Sequence, residues 1–256
     1  MACPPVVVCF SGHDPTGGAG LQADIETLRH FACHPASIIT CLTVQDSVNV
    51  RRLIPQNRMD FLEQARVLLA DLPVSVFKIG LLGDPQIAET VADLLDSHAS
   101  VPVVLDPVLA AGGGHELANQ QLLSIIKTRL IPRTTLLTPN TPEAIRLTGS
   151  NDPEQAGWAL QAAGCTHVLL TGTHEQETEK RVINRWFSPD GMQSWHWPRL
   201  PGCYHGSGCT LATAAAALLA RGDRSLEDML FQAQQFTWHS LSQGYRAGQG
   251  QWFPAR

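Results

Sequence analysis

The residues with the clearest chemical potential lie in a glycine-rich turn before an alanine-rich segment. Residues 206–210 (GSGCT) precede residues 211–220 (LATAAAALLA), a segment expected to form a buried helix because it is apolar around most of its circumference. Such a turn directs free backbone N–H groups and the positive end of the helix dipole at one point. It predicts an anion-binding site in which Cys209 has a lowered pKa and acts as base or nucleophile. A purely structural cysteine is the alternative.

A second glycine-rich run, residues 11–20 (SGHDPTGGAG), follows a strand candidate and leads into a helix candidate. Its glycines allow a close approach of the backbone to a ligand. Residues 18–23 (GAGLQA) match the dinucleotide fingerprint only in part, because the second strand candidate ends without the acidic residue that would bind ribose. No G-K-[ST] follows, so the run is not a P-loop. A glycine-rich turn without a ligand is the alternative.

Oxygen-bearing side chains follow two further strand candidates. Asp106 ends the apolar run 101–105, and residues 138–143 (TPNTPE) give Asn140 and Glu143 an N-x-x-E spacing. Hard oxygen ligands favour Mg²⁺, so these residues could hold a hydrated ion near phosphate oxygens. The same asparagine and glutamate also form a good helix cap, and taken alone the cap is the favoured interpretation.

Apolar, β-branched runs alternate with helical stripes along the whole chain. The predicted buried strands are 5–10, 37–43, 74–79, 101–105, 135–137 and 167–170, and residues 181–187 and 192–197 are predicted to form a hairpin. Near-continuous apolar strands are typical of a parallel sheet covered on both faces. The pattern predicts one α/β domain over residues 1–256, a three-layer α/β/α sandwich with a mostly parallel central sheet. Ligands in such folds bind beyond the carboxyl ends of the strands, where the motifs lie.

The composition excludes several classes of function. A net charge of −5 argues against general binding to nucleic acid, and no apolar stretch approaches the ~20 residues of a membrane span. The start of the chain lacks the charged region of a signal peptide, which predicts a cytoplasmic protein. The seven scattered cysteines include no C-x-x-C pair, so neither a disulfide framework nor a structural zinc site is indicated.

Six segments occur together and in order: SGHDPTGGAGLQAD (11–24), ITCLTVQD (39–46), KIGLL (78–82), VLDPV (104–108), LLTPNTPEA (136–144) and HGSGCTLATAAAA (205–217). With these segments the chain resembles the hydroxymethylpyrimidine/phosphomethylpyrimidine kinases of the ribokinase superfamily over nearly its whole length. The resemblance implies a ribokinase-like fold, ATP and Mg²⁺ as cofactors, and a homodimer. It also implies that the substrates are hydroxymethylpyrimidine and its monophosphate, on the route to thiamine.

The resemblance also implies roles for individual residues. The positions that match the pyrimidine pocket are Gly12, Ala19, Asp24, Gln45, Gly80, Leu81 and Val108. Those that match the Mg²⁺ region are Asp106 and Glu143, and those near the ATP phosphates are Asn140, Thr171 and Ser207. Gly206 and Gly208 match the anion hole, and Cys209 matches the residue that takes the proton of the substrate alcohol.

Three positions depart from the family pattern. His13 stands where a small residue is usual, and Gly112 and Thr171 stand where lysines are common. Fewer cations near the phosphates predict weaker handling of the monophosphate relative to the free alcohol. The alternatives are a pyridoxal-type kinase, a dinucleotide-dependent oxidoreductase and a non-catalytic pyrimidine-binding protein, and an ATP-dependent phosphorylation assay would separate them.

Overall fold

A computed structural model describes residues 3–175 and 180–256. Within them one nine-stranded sheet has the order β3-β2-β1-β4-β5-β6-β7-β8-β9. The strands are β1 (Val6–His13), β2 (His34–Gln45), β3 (Val50–Pro55), β4 (Val74–Ile79), β5 (Val103–Leu105), β6 (Leu136–Leu137), β7 (His167–Thr171), β8 (Arg181–Ser188) and β9 (Gly191–Pro198). The helices are α1 (Gly20–His30), α2 (Arg58–Asp71), α3 (Pro85–Asp96), α4 (Gln120–Ile125), α5 (Thr141–Thr148), α6 (Pro153–Ala162), α7 (Ser207–Arg221) and α8 (Leu226–Ser242).

The central strands β2, β1, β4, β5, β6 and β7 pair in parallel, and β3, β8 and β9 add antiparallel partners at the two edges. The predicted α/β architecture with a mostly parallel sheet is therefore confirmed. Strand β3 was not predicted, because Arg51 and Arg52 interrupt its apolar pattern and both are exposed. The β8–β9 hairpin forms where residues 181–197 predict it.

Both faces of the sheet are buried, as its apolar strands require. Along β1, Val6, Val8 and Phe10 join a core with α2, α3, α5 and α6, whereas Val7 and Cys9 join a core with α1, α7 and α8. This alternation follows from the two-residue period of a strand. Helices therefore cover the sheet on both sides, and the ligand-binding face is left to the loops at the strand ends.

Helix starts lie where the capping residues predict them. Asp84 accepts hydrogen bonds from the Gln86 and Ile87 amides at the start of α3, and Asp152 accepts one from the Glu154 amide at the start of α6. Among the described residues, no helix combines the length and the apolar character needed to cross a membrane.

Candidate active site

The turn before α7 is open at its N-terminal end. Gly206 occupies the N-cap position with φ of 71°, a left-handed conformation that favours glycine. No side chain caps this helix within the described chain. Gly208 is exposed, whereas Thr210 and most of the helix beyond it are buried. The first amides of a buried helix thus face the carboxyl edge of the sheet, which is the arrangement that binds an anion.

The glycine-rich loop after β1 is closed against this turn. Asp14, which is 2% exposed, accepts hydrogen bonds from the Thr16 and Ala19 amides and from Nε2 of His205, each at 2.8 Å. A Cβ atom at Gly18 would overlap the rings of His205 and Phe253, so only glycine permits this packing. Burial alone would raise the pKa of Asp14, but the contacts with His205, Gln45 and Thr16 hold it well below its ordinary value.

Asp106 follows β5 and points towards the same turn. The residue is 4% exposed, and its Oδ2 atom has no hydrogen-bond partner among the described residues. A Cβ atom built on Gly208 would lie 3.6 Å from Oδ1 and 3.8 Å from Oδ2. Burial raises the pKa of Asp106 to about 6, although Lys78 and Cys209 oppose the shift. A buried carboxylate oxygen without a partner indicates a place for a ligand or a cation.

Asn140 and Glu143 form the helix cap that the sequence favours. The Asn140 side chain accepts from the Glu143 amide at 2.9 Å, and the Glu143 carboxylate accepts from the Asn140 amide at 3.0 Å. Burial, followed by the charge of Asp106, raises the pKa of Glu143 to about 8. Thr171 lies beside this cap, and its amide donates to the Pro139 carbonyl at 2.9 Å.

The carboxylates of Asp106 and Glu143 suit a hydrated Mg²⁺ that also binds phosphate oxygens. They suit an ion enclosed entirely by protein ligands less well. Both Glu143 oxygens are engaged by amides, and the described part of the chain contains no group of three acidic, cysteine or histidine ligands. The free Oδ2 of Asp106 and the mutual repulsion of the two carboxylates both favour a cation between them. Octahedral Mg²⁺ ordinarily keeps several waters in such sites.

The predicted low pKa of Cys209 is wrong in the ligand-free protein. Cys209 is half-buried. Desolvation of its thiol, followed by the charge of Asp106, raises its pKa to about 12. Lys78 and the Gly20 amide act in the opposite direction but do not compensate. The helix dipole at the turn favours the thiolate, but the Asp106 carboxylate acts against it. Asp106 follows β5, about a hundred residues away in the sequence, so the turn alone does not reveal it.

A buried ion pair lies beneath the site, and the sequence analysis missed its lysine. Lys78 and Asp24 are both fully buried, and Nζ lies 2.8 Å from Oδ1. Ser11 and Thr213 donate hydroxyl hydrogen bonds to the same carboxylate at 2.5 and 2.6 Å. Burial alone would lower the pKa of Lys78, but the neighbouring acids raise it above its usual value, so the lysine stays charged. A lysine inside the apolar run VSVFKI was the available signal, because a buried charge requires a buried partner.

Comparison with known proteins identifies the family. A family model described as phosphomethylpyrimidine kinase matches residues 14–254. The hydroxymethylpyrimidine/phosphomethylpyrimidine kinase of Haemophilus influenzae is 33% identical over 252 residues, covering 95% of this chain and 93% of the relative. That of Salmonella typhimurium is 34% identical, covering 91% of this chain and 90% of the relative. This chain belongs to the phosphomethylpyrimidine kinase family.

Family membership makes the protein a phosphotransferase and removes the oxidoreductase alternative. Solved structures agree in fold. The pyridoxal kinase from Staphylococcus aureus in complex with AMP-PCP and pyridoxal has a TM-score of 0.89 at 23% identity, covering 99% of this chain and 93% of that one. The phosphomethylpyrimidine kinase from Clostridium difficile has a TM-score of 0.78 at 24% identity, covering 92% of this chain and 98% of that one.

The expected pocket residues lie at the ends of neighbouring strands. A Cβ atom at Gly12 would lie 3.1 Å from both the Cys41 sulfur and Leu81. Gln45 ends β2, and its side chain helps to lower the pKa of Asp14. Ala19, Gly80, Leu81 and Val108 follow β1, β4 and β5. These strands are adjacent, so the residues share one edge of the sheet, and their contact with substrate remains a prediction.

Asp24 is buried beside this edge. It is 0% exposed, and both carboxylate oxygens are occupied by Lys78, Ser11 and Thr213. A Cβ atom at Gly80 would lie 2.8 Å from Nζ of Lys78 and 3.0 Å from Oγ of Ser11, so the buried pair adjoins the expected pocket. The buried lysine charge requires a carboxylate at this place, and contact of Asp24 with substrate remains a prediction.

Proposed function

We propose that this kinase transfers the γ-phosphoryl group of ATP, with Mg²⁺, to hydroxymethylpyrimidine and then to its monophosphate, giving the pyrophosphate used in thiamine synthesis. The observation that carries the proposal is Oδ2 of Asp106, which has no hydrogen-bond partner in residues 3–175 and 180–256 and faces the open first turn of α7. A cation-binding carboxylate and an anion-binding turn at one place are what phosphoryl transfer requires.

The backbone amides of the turn would supply most of the stabilisation that this chain gives to the negative charge of the phosphates. The amides that follow Gly206 would receive the phosphate oxygens, and Asn140, Thr171 and Ser207 lie at the same strand edge. Asp106 and Glu143 would hold Mg²⁺, which would supply positive charge to offset that of the triphosphate. The AMP-PCP bound to the pyridoxal kinase of the same fold supports ATP as the donor.

Cys209 would take the proton of the substrate's primary alcohol. Only the thiolate is a base, and a thiol with a pKa of about 12 is almost wholly protonated near neutral pH. The proposal therefore requires ligand binding to lower this pKa. Asp106 is a main cause of the raised value, so any cation that offsets the Asp106 charge acts in the required direction.

Gln45 would read the aminopyrimidine edge. Its side-chain amide offers both a donor and an acceptor, which matches a ring nitrogen next to an exocyclic amine. In the ligand-free protein this amide contacts Asp14, so substrate would compete for a group that is already held in place.

One assay tests the proposal. Coupled ADP release is measured with hydroxymethylpyrimidine, its monophosphate and pyridoxal, each with Mg²⁺ and with EDTA. We expect Mg²⁺-dependent turnover of the first two and at least tenfold lower kcat/KM for pyridoxal. A higher kcat/KM for pyridoxal would replace the proposal by a pyridoxal kinase, and binding of the pyrimidine without ADP release would indicate a non-catalytic binding protein.

The chain would act as a cytoplasmic homodimer. The β2–β3 edge exposes apolar side chains that a monomer would leave in water, and a second copy of the chain is the occupant that the resemblance implies. The residues concerned are Leu42, Val44, Val48 and Ile54, which are 38 to 54% exposed.

A further inference from the structure

A buried guanidinium lies directly behind the anion-binding turn. The side chain of Arg256 is only 2% exposed. Its Nη2 donates to the Gly18 carbonyl at 2.5 Å, its Nε donates to Oγ1 of Thr210 at 2.8 Å, and its Nη1 contacts Glu26 at 3.0 Å. The arginine thus joins the glycine-rich loop, the first turn of α7 and helix α1. A buried cation with three directional partners is fixed in one orientation.

A hydrogen-bond relay connects this cation to the turn. The Thr210 hydroxyl accepts from Arg256 and donates to the Gly206 carbonyl at 2.8 Å, which also accepts from the Thr210 amide at 2.9 Å. In a trans peptide the carbonyl and the following N–H point in opposite directions. Fixing the Gly206 carbonyl therefore fixes the Ser207 N–H, which points outwards from the start of the helix. A charged donor at one end of such a chain strengthens the bonds along it.

Arg256 also neutralises an unfavourable dipole at the turn. The Gly18 carbonyl oxygen and Arg256 both lie close to Gly206. A Cβ atom built on Gly206 would overlap that oxygen and would lie 2.9 Å from Nη2 of Arg256. A carbonyl oxygen so close to an anion-binding turn would repel phosphate unless a cation held it. The guanidinium performs this task in a chain that has Gly112 and Thr171 in place of two lysines.

We propose that Arg256 is a positioning residue for phosphoryl transfer, which orients and polarises the Ser207 N–H through the Thr210 hydroxyl. Its effect on turnover rests on the proposed function. The relay itself is a property of the ligand-free protein, so the two can be tested apart.

The sharpest test removes the hydroxyl while keeping the shape of the side chain. Thr210→Val should lower kcat by roughly 10- to 100-fold, the scale of losing or misplacing one donor to the transition state, and change the KM for the alcohol less than threefold. Thr210→Ser keeps the hydroxyl and should recover most of the lost rate. A Val variant with kcat within twofold of wild type, or a Ser variant as slow as Val, would overturn the relay.

The other end of the relay is tested by chemical rescue. Arg256→Ala should lower kcat to a similar extent, and added guanidinium ion should restore at least a fivefold increase that ammonium at equal ionic strength does not give. Combined with Thr210→Val it should cause little further loss, because both changes break one relay. Arg29→Ala, which removes an exposed arginine of α1, is the matched control and should leave kcat unchanged. If the Ala variant does not fold, Arg256→Lys takes its place and should retain only part of kcat, since lysine lacks the fork.

An amide signal separates this proposal from the proposed function. In ¹⁵N spectra of the ligand-free protein, the Ser207 amide proton should move upfield in Thr210→Val and in Arg256→Ala or its Lys replacement, and not in Arg29→Ala. An unmoved signal in the first two would overturn the relay whatever the kinetics. A moved signal in a protein that phosphorylates no alcohol of the panel would overturn the proposed function and leave the relay standing.

Discussion

At the scale of single residues, Cys209 shows how a neighbour reverses an expectation. Its position at a helix start favours the thiolate, but desolvation and Asp106 favour the thiol and raise the pKa to about 12. We predict that Cys209→Ala lowers kcat by on the order of 10²–10⁴-fold, the range for loss of a general base. Pyrimidine binding, measured by calorimetry, should change little. Near-normal turnover would return Cys209 to a structural role.

The protonation state of the same residue can be measured directly. In the ligand-free enzyme, the difference in thiolate absorbance at 240 nm between wild type and Cys209→Ala should stay flat from pH 6 to 9, because the pKa of Cys209 lies near 12. A titration step below pH 9 would contradict the raised pKa. The same absorbance difference, recorded with the Mg²⁺ complex of AMP-PCP bound, should show the titration of the Cys209 thiol at a lower pH than in the enzyme without nucleotide.

The acids at the site predict an unusual pH dependence of stability. Folding raises the pKa of Glu143 to about 8 and that of Asp106 to about 6, against unfolded values of about 4. The native state therefore binds more protons than the unfolded state from about pH 4 upwards, and the free energy of unfolding falls as pH rises towards 8. The Tm of the ligand-free protein should be higher at pH 5 than at pH 8. Glu143→Gln should reduce this difference, and an unchanged difference would assign it to other groups.

The Lys78–Asp24 pair predicts a large loss of stability on removal of one partner. Asp24→Asn leaves the lysine charge buried without its acid, which should cost about 3–5 kcal/mol in urea unfolding. Glu63→Gln removes an acid from the exposed face of α2, where little stability is at stake, and is the control. A loss below about 1 kcal/mol for Asp24→Asn would show that Lys78 finds another partner or water.

At the scale of elements, the loop after β1 and the turn before α7 act as one unit because Gly18 lets them touch. Gly18→Ala would push a methyl group into the His205 and Phe253 rings, and an overpacked contact costs roughly 1–3 kcal/mol. We expect kcat/KM to fall together with stability. Gly149→Ala places a methyl in open space at the end of α5 and strains only the local backbone, so it should cost stability without loss of kcat/KM in folded protein. An equal loss of kcat/KM in Gly18→Ala and Gly149→Ala would show that the contact at Gly18 has no specific effect on the site.

The elements themselves follow from local patterns, whereas the site depends on contacts between them. The six parallel strands are apolar runs that read clearly in the sequence, and Asn140 with Glu143 forms the predicted cap. Strand β3 was not predicted from the sequence, because its two arginines face solvent at an edge of the sheet and interrupt the apolar pattern. The pKa of Cys209 and the burial of Asp24 could not be predicted for another reason. The first depends on burial and then on Asp106, which follows β5, and the second depends on Lys78 of β4.

At the scale of the whole molecule, the missing lysines predict a preference between the two substrates. Monophosphate turnover brings additional negative charge to the site, and this chain has Gly112 and Thr171 at positions where the family resemblance implies lysines. Gly112→Lys should raise kcat/KM for the monophosphate relative to the alcohol. The three atoms nearest to a Cβ at this position all belong to the side-chain amide of Gln251, which can move aside. Gly112→Gln adds similar bulk without charge and should not raise the ratio; an equal gain would exclude an electrostatic cause.

The contact between Asp14 and His205 joins residues 191 positions apart. Ribosomes add roughly 5–20 residues per second, so His205 is synthesised on the order of 10–40 seconds after Asp14. Strands β1, β2 and β4 can meanwhile pair and bury their apolar faces. The turn before α7 forms later, because its contact with the loop after β1 closes a loop of 191 residues. A growing chain would therefore bury much of its core well before it completes the turn that is proposed to bind phosphate.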